Sequence, residues 1–551
     1  MDSRTPPRSF SPVVLSPSPP PNGANDATPR LAGTPALPPA HDFCVIGGGT
    51  GCNAVVAAFQ DGLRTSFILP VSDDGGSSSE VQRVLGGPAL GDIRSRLIRL
   101  IPPSPPNSPL DCIRRLLEYR LPGEDSNKSH AQVKGEWQEI VEGTHRLWRG
   151  IPGDRKETIR AFLVHFESAV LKKAQRGFNF RKASIGNLFL SGTALFLGSA
   201  MQVPSAIFLF ASLTGISHDR VRIVPVINTS STVTIAAELE NGQILAGQSE
   251  ISHPSATTSA ALQHGLTTPT VASALGGPPS AGASANYFPL TRATTPSFPE
   301  PPVLGAEEDD SHSDVPLSPD LSSSSRDLSS LSLSDSPLSS LSPFSGAPNP
   351  PTSPSRNLEF SKDTSSLAPL PARIRRIFYL NAYGSEIYPR PNGVFLSSLR
   401  DASCLVYAPG SLYTSIVPCI ALRPVGELIA RSATRLRFKI LLLNATEDRE
   451  TPAYTAADFV WALTHACARS FADGVAELNE GEGDGEGGMR ARCEPREVVT
   501  HVVWVRNGQV RVDEAELLAL GVEPVAVGPT PDGHFNDEVV REALARIFAG
   551  R

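Results

Sequence analysis

The sequence predicts an α/β fold: a mostly parallel β-sheet covered on both faces by helices. Three observations predict it. Short apolar runs alternate with stretches of helical periodicity along most of the chain. The first run, Phe43-Cys-Val-Ile46, opens directly into glycines and then a helical stretch. The same alternation resumes after a long Ser/Pro-rich segment, which therefore interrupts one domain and does not join two.

Residues 1–42 are rich in Pro, Ser and Ala and read as a disordered tail. Residues 43–254 form the first part of the domain. Phe67–Val71 reads as its second strand, and Asp111–Tyr119 and Thr158–Lys172 as amphipathic helices. The apolar segment 188–216 is interrupted by Gln202 and Pro204, so it reads as buried helix, turn and strand, not as a membrane span. Val221–Val226 is a strand. Val233–Glu240 and Gln243–Gln248 flank Asn241-Gly242, a dipeptide suited to a two-residue hairpin turn. Residues 255–371 bury too little apolar surface to offset their ordering entropy and read as a disordered insertion. Its Ser-Pro steps, beginning at Ser318, Ser336, Ser342 and Ser353, are phosphorylation sites in one reading and an unmodified spacer in the other. Residues 372–551 form the second part, with strands at Ile374–Leu380, Cys404–Tyr407, Phe438–Leu443 and Val502–Val505. A flexible acidic loop spans 477–488, and a short amphipathic helix closes the chain.

The 551 residues carry 49 Lys and Arg against 56 Asp and Glu, a net charge of −7. That balance argues against a nucleic-acid partner held by phosphate neutralisation. The seven cysteines make no CxxC pair and several lie in apolar runs, so reduced, partly buried thiols are expected. The first residues lack the apolar core of a secretory signal, which places the expected chain in the cytoplasm with no membrane partner.

Three segments could carry chemistry. In the first, Gly47, Gly48, Gly49, Thr50 and Gly51 follow a strand and open a helix. Glycines admit the close approach of a diphosphate, and free amides at a helix start meet its charge. Cys52 stands where a strict dinucleotide fingerprint has its third glycine. In the second, Asp73, Asp74, Gly75, Gly76 and Ser77 follow the second strand. A carboxylate there could accept bonds from a ribose, or the pair could hold magnesium through oxygen ligands. A helix cap made of ordinary turn residues is the plain alternative. In the third, Gly410, Ser411, Thr414 and Ser415 follow a strand, where amides and hydroxyls could grip a phosphate or serve as N-caps. Asp92 and Arg94 are weaker signals that read equally as a salt-bridged helix start, and Asn187 reads equally as a buried, satisfied amide. HExxH, GxSxG and GxxxxGK[ST] are absent.

In order, Ile46-Gly-Gly-Gly-Thr-Gly51, Ser72-Asp-Asp-Gly-Gly-Ser-Ser78, Gly91-Asp-Ile-Arg94, Gly186-Asn-Leu188, Pro225-Val226, Ala237–Gly242, Pro409–Ser415 and Tyr454–Asp458 resemble the CofD/YvcK superfamily. The resemblance covers about 43–253 and 372–470, and its motif forms are similar to the YvcK branch. It implies a Rossmann-like, three-layer, doubly wound sheet. The YvcK branch implies a UDP-sugar-binding protein tied to gluconeogenic growth. The CofD branch implies a magnesium-dependent transferase moving a phospholactyl group from a guanylyl diphosphate donor to an alcohol. By matching motif, the diphosphate falls among Gly47–Gly51 and Gly410–Ser415, with Asn187 near the nucleotide. Asp73 and Asp74 become metal or acceptor-positioning residues, the catalytic pair if there is one. The family often has His-Asn where this chain has Ala183-Ser184, so no histidine contact is carried over. The segment 111–172 is long for the family. The expected partner is a small nucleotide ligand, and homo-oligomer formation is left open. Binding protein and transferase both stand at this point. A nicotinamide dehydrogenase is disfavoured, because no His or Tyr motif marks a proton-transfer group.

Overall fold

The structure is a computed structural model, described here for residues 41–60, 63–72, 76–173, 177–198, 202–252, 369–432, 435–471 and 493–550. These residues belong to one compact unit. Most of the expected tail and insertion, and the acidic loop, lie outside them.

The first three strands, β1 (Asp42–Ile46), β2 (Arg64–Leu69) and β3 (Val221–Pro225), enter a parallel sheet. The next four form a second, smaller sheet: β4 (Thr234–Leu239), β5 (Ile244–Ala246), β6 (Ile374–Leu380) and β7 (Glu386–Ile387). The chain then returns to the first sheet with β8 (Cys404–Tyr407), β9 (Phe438–Leu442), β10 (His501–Val505) and β11 (Glu523–Val527). The seven strands of that main sheet lie in the order β11-β10-β9-β8-β1-β2-β3, with Val45 opposite Phe67 on one side and Val406 on the other. β1, β8 and β9 are buried almost throughout, as a sheet covered on both faces requires. Helices such as Gly91–Leu100, Val203–Thr214 and Gly393–Asp401 flank it. This is the three-layer, doubly wound fold. The strand order reverses between β1 and β8, which makes their carboxyl ends the topological switch point, where such sheets bind ligands.

The smaller sheet, β5-β4-β6-β7, is antiparallel and joins strands from both sides of the insertion. Its β4–β5 turn differs from the expected two-residue form. Leu239 N donates to Gln243 O at 2.8 Å, leaving a three-residue loop with Gly242 at φ 82°. The segment 188–216 also differs from expectation: two helices, Ile185–Phe196 and Val203–Thr214, replace helix and strand. Pro204 sits in the first turn of the second helix, where its missing N–H costs nothing, and Gly215 ends it in the left-handed conformation (φ 72°). Uniform apolarity there reflects burial, and it hides the helical period. β7, β11 and the helix His130–Glu142 carry no clear pattern in the sequence and are additions to the expected elements.

All seven cysteines are free and buried. Among the described residues no single helix is long and apolar enough to cross a membrane. The bent pair Leu412–Ile420 and Val425–Arg431 has the apolar length but turns by 81° and packs into the core.

Candidate functional site

The glycines after β1 and β8 meet at the switch point. Gly47 N donates to Ile68 O (3.2 Å) and Ala408 N to Ile46 O (2.9 Å), which carries both turns just past the sheet edge. A Cβ on Gly47 would stand 2.9 Å from Ala408 Cβ, and one on Gly51 3.0 Å from Pro409 O. An added Cβ would press on a side-chain methyl at Gly47 and on a backbone carbonyl at Gly51, so glycine suits both positions. Gly49 (φ 69°) has the left-handed conformation that glycine tolerates best. Cys52 is fully buried, with its Sγ 3.6 Å from the Cβ position of Gly47. It supplies the close packing expected of a third glycine, and burial pushes its thiol up, keeping it protonated.

The helix opened by this turn, Gly49–Asn53, is only five residues long, and its first amide is not free. Gly49 N donates to Asp92 Oδ1 (3.0 Å). Asp92 thus stabilises the turn itself. Burial pushes its carboxyl up, while the Gly49 amide, Arg96 and Arg94 oppose that rise. Arg96, one helical turn on, is a member of the site that the sequence reading missed. It is 1% exposed, donates to Cys52 O (3.2 Å) and Gly47 O (3.4 Å), and lies 5.0 Å over the Phe67 ring. The i, i+4 spacing of Asp92 and Arg96 is the available signal. Together they hold the glycine turn from below.

Beside this turn lies a group of buried polar atoms without partners. Gly76 (φ 57°) opens the helix Gly76–Leu85, with Ser77 and Ser78 buried in its first turn. Asn187 Nδ2 donates to Ser77 Oγ (2.9 Å) and reaches Ser78 Oγ (3.4 Å), and Ser184 N donates to Ser77 Oγ (3.4 Å). Arg94 Cγ lies 2.9 Å from the Cβ position of Gly186, which brings the Gly-Asp-Ile-Arg and Gly-Asn-Leu motifs together. Arg94 is 8% exposed and, among the described residues, makes no ion pair. Its Nε, Asn187 Oδ1 and Ser184 Oγ are buried without hydrogen-bond partners, and so is Ser72 Oγ just past β2. Burial, helped by the positive charge of Arg120, lowers Arg94 to about 10. Buried polar groups in native proteins are almost always bonded, so such a cluster calls for a bound group. It offers donors for an anion and one acceptor, Asn187 Oδ1, for a hydroxyl or N–H.

The third turn is arranged differently from expectation. Gly410 N donates to Asn444 Oδ1 (3.0 Å), and Asn444 Nδ2 returns a bond to Gly410 O (2.9 Å), so this peptide is already occupied. Thr414 is engaged by a carboxylate: its hydroxyl donates to Glu450 Oε1 (2.7 Å), beside Ser252, while Tyr413 N donates to Oε2 (2.9 Å). Glu450 is 1% exposed, and burial, reinforced by Asp448, raises it to about 7. Ser415 Oγ stands 3.9 Å from the Cβ position of Gly410, on the side of the glycine turns, and Ser411 is half-buried at the turn. Asn444 and Glu450 follow β9 with no motif around them, and the sequence reading missed both.

Asp73, Asp74 and Gly75 lie outside the described residues, as does the Thr50 side chain. Among the described residues no group of three metal-ligating side chains occurs. The Tyr454–Asp458 motif is a helix start. Thr455 and Asp458 form a capping box, and Asp458 pairs with Arg373 at 2.9 Å.

Compared with known proteins, residues 43–526 match the family model described as 2-phospho-L-lactate transferase CofD. An uncharacterized protein of Saccharomyces cerevisiae, YNL011C, is 32% identical over 482 residues, covering 85% of this chain and 91% of the relative. A gluconeogenesis factor of Halalkalibacterium halodurans is 29% identical over 163 residues, 29% of this chain and 44% of the relative. The crystal structure of protein BH3568 from Bacillus halodurans covers 92% of this chain and 99% of its own, at 17% identity and a TM-score of 0.48.

Proposed function

The chain belongs to the CofD family, and on that premise we propose that it binds a nucleoside diphosphate of the UDP-sugar kind at the switch point. The observation that carries this reading is the buried, unpaired Arg94 guanidinium packed on Gly186, between the partnerless Ser184 Oγ and Asn187 Oδ1 in the chain. A phosphate oxygen would take the Arg94 and serine donors through charge-assisted bonds. A ribose or sugar hydroxyl would suit Asn187 Oδ1. The turns at 47–51 and 408–411 would border the ligand as walls already held by Asp92 and Asn444, with Ser411 and Ser415 beside the second. Bacterial relatives are named gluconeogenesis factors, so the bound nucleotide would report on carbon metabolism in the cytoplasm.

A second reading rests on the description of the family model. In it the chain is a magnesium-dependent transferase: an acceptor alcohol gives up its proton to a carboxylate or to water and forms a bond to the donor phosphorus, while the diphosphate P–O bond breaks and nucleoside monophosphate leaves with its electrons. Asp73 and Asp74, next in sequence to Ser72, would hold the metal through oxygen atoms, the ligands magnesium prefers. When bound, the metal would offset charge on the diphosphate. Arg94 would bind and orient the donor in both readings.

A thermal-shift series with UDP-glucose, GDP and NADH, each with and without magnesium, tests the proposal. At a hundred times its Kd a ligand adds about 2.7 kcal/mol of stability. A rise with a nucleoside diphosphate supports binding, and no shift with any of them contradicts it. Nucleoside monophosphate release that is lost in Asp74→Asn with binding retained would favour the transferase.

A further inference from the structure

A second concave site lies away from the glycine crevice. It is a cavity of about 690 Å³ between β6–β7 and the chain at 413–423, closed by the helix Ala456–Arg469. None of the glycine-turn residues, nor Arg94 or Asn187, lines it. Five arginines do: Arg375, Arg376, Arg390, Arg423 and Arg469, against two glutamates, Glu238 and Glu386. In a chain of net charge −7 that is a strong local excess of positive charge.

The glutamates are already paired. Arg376 takes both oxygens of Glu386 (2.8 and 3.2 Å) and Glu238 Oε2 (2.6 Å), and Arg375 takes Glu238 Oε1 (3.1 Å). Among the described residues Arg390, Arg423 and Arg469 make no ion pair. Arg469 Nε is buried without a partner. Burial pushes Arg469 down, and Arg375 and Arg376 push it further. Arg423 lies 4.8 Å over the ring of Tyr388, which is 62% exposed, so a guanidinium and an aromatic platform face the same opening.

We propose that this cavity is a second anion site, which takes the phosphoryl group of an organic phosphate on Arg469, Arg423 and Arg390 and its organic part against Tyr388. Its size suits a ligand of nucleotide or sugar-phosphate dimensions, and guanidinium forks match phosphate oxygens in pairs. The inference does not depend on the crevice being a nucleotide site.

Calorimetric titration with inorganic pyrophosphate, at constant ionic strength, separates the two. The full chain is expected to bind two equivalents. Arg423→Gln, a half-buried change that spares the core, and Arg423→Gln with Arg469→Gln should each weaken one site, the double variant at least tenfold, and leave the other. Arg94→Met should weaken only that other, by about 10- to 100-fold. A single equivalent that is lost in the double variant and kept in Arg94→Met leaves this inference standing and refutes the crevice. An isotherm unchanged by the Arg423 and Arg469 substitutions overturns it, as does loss of both equivalents together or no binding at all.

Discussion

Replacing Arg94 by Met should make the free protein more stable and its ligand binding weaker, and the opposite signs are the test. The guanidinium sits at about 10, well below its ordinary value, which disfavours the charged form by about 3 kcal/mol. Its orphaned Nε accounts for part of that cost, since an unmade buried bond is worth roughly 1–3 kcal/mol. Methionine keeps most of the volume beside Gly186 and needs no partner. After allowing for imperfect repacking, urea unfolding at pH 7 should show a gain on the order of 1–2 kcal/mol. The same variant should lose about 10- to 100-fold in affinity for a nucleoside diphosphate, the worth of one charged hydrogen bond (~1.5–3 kcal/mol). A residue kept only for packing would behave differently. A variant that is less stable and binds as well as wild type refutes the reasoning.

Glu450 should make stability fall with pH. Its value in the folded protein, about 7, lies above the ordinary 4.5. Its contribution is therefore fully present below about 4.5 and is lost as pH rises through 7. Wild type should lose up to about 3 kcal/mol relative to Glu450→Gln across that interval, measured by urea unfolding at several pH values; parallel profiles contradict this. Glutamine fits because its amide can donate to the Ser252 and Thr414 hydroxyls while its carbonyl accepts Tyr413 N–H. Gly48→Ala should destabilise by about 1–3 kcal/mol, because the new methyl meets Pro70 Cγ at 2.9 Å and collides with the Asp92 carboxylate. The backbone there (φ −102°) is ordinary, so the clash alone acts; an unchanged Tm contradicts it. Arg96→Met should lower stability by roughly 2 kcal/mol through two lost bonds to loop carbonyls, and should weaken nucleotide binding with it. The contrast with Arg94→Met, read in the same unfolding assay, separates a supporting arginine from a ligand-facing one.

The sheet was legible because its strands are short apolar runs buried on both faces. Ile374–Leu380 and Cys404–Tyr407 carry the bounds read from sequence, and the others fall within a few residues. β7 has two half-buried residues, and β11 mixes exposed and buried positions, so neither offered a pattern. At the site, the glycines announced the close approach of two turns, since backbone contact leaves a compositional trace. The roles of individual polar residues were less visible. Thr414 and Ser415 are neighbours in a hydroxyl-rich stretch, and nothing local reveals that one faces Glu450 and the other the crevice. Glu450 and Asn444 act from 36 and 34 residues away across the sheet, and Arg96 acts on carbonyls of a turn more than forty residues earlier. Such partners are set by topology, which single-chain spacing does not encode.

A crystal structure of the protein grown with UDP tests the central claim most directly. Diphosphate oxygens are expected within hydrogen-bond distance of Arg94 and the serines around Ser77, between the two glycine turns. A diphosphate found only in the arginine-lined cavity, or an empty crevice at saturating UDP, would contradict it.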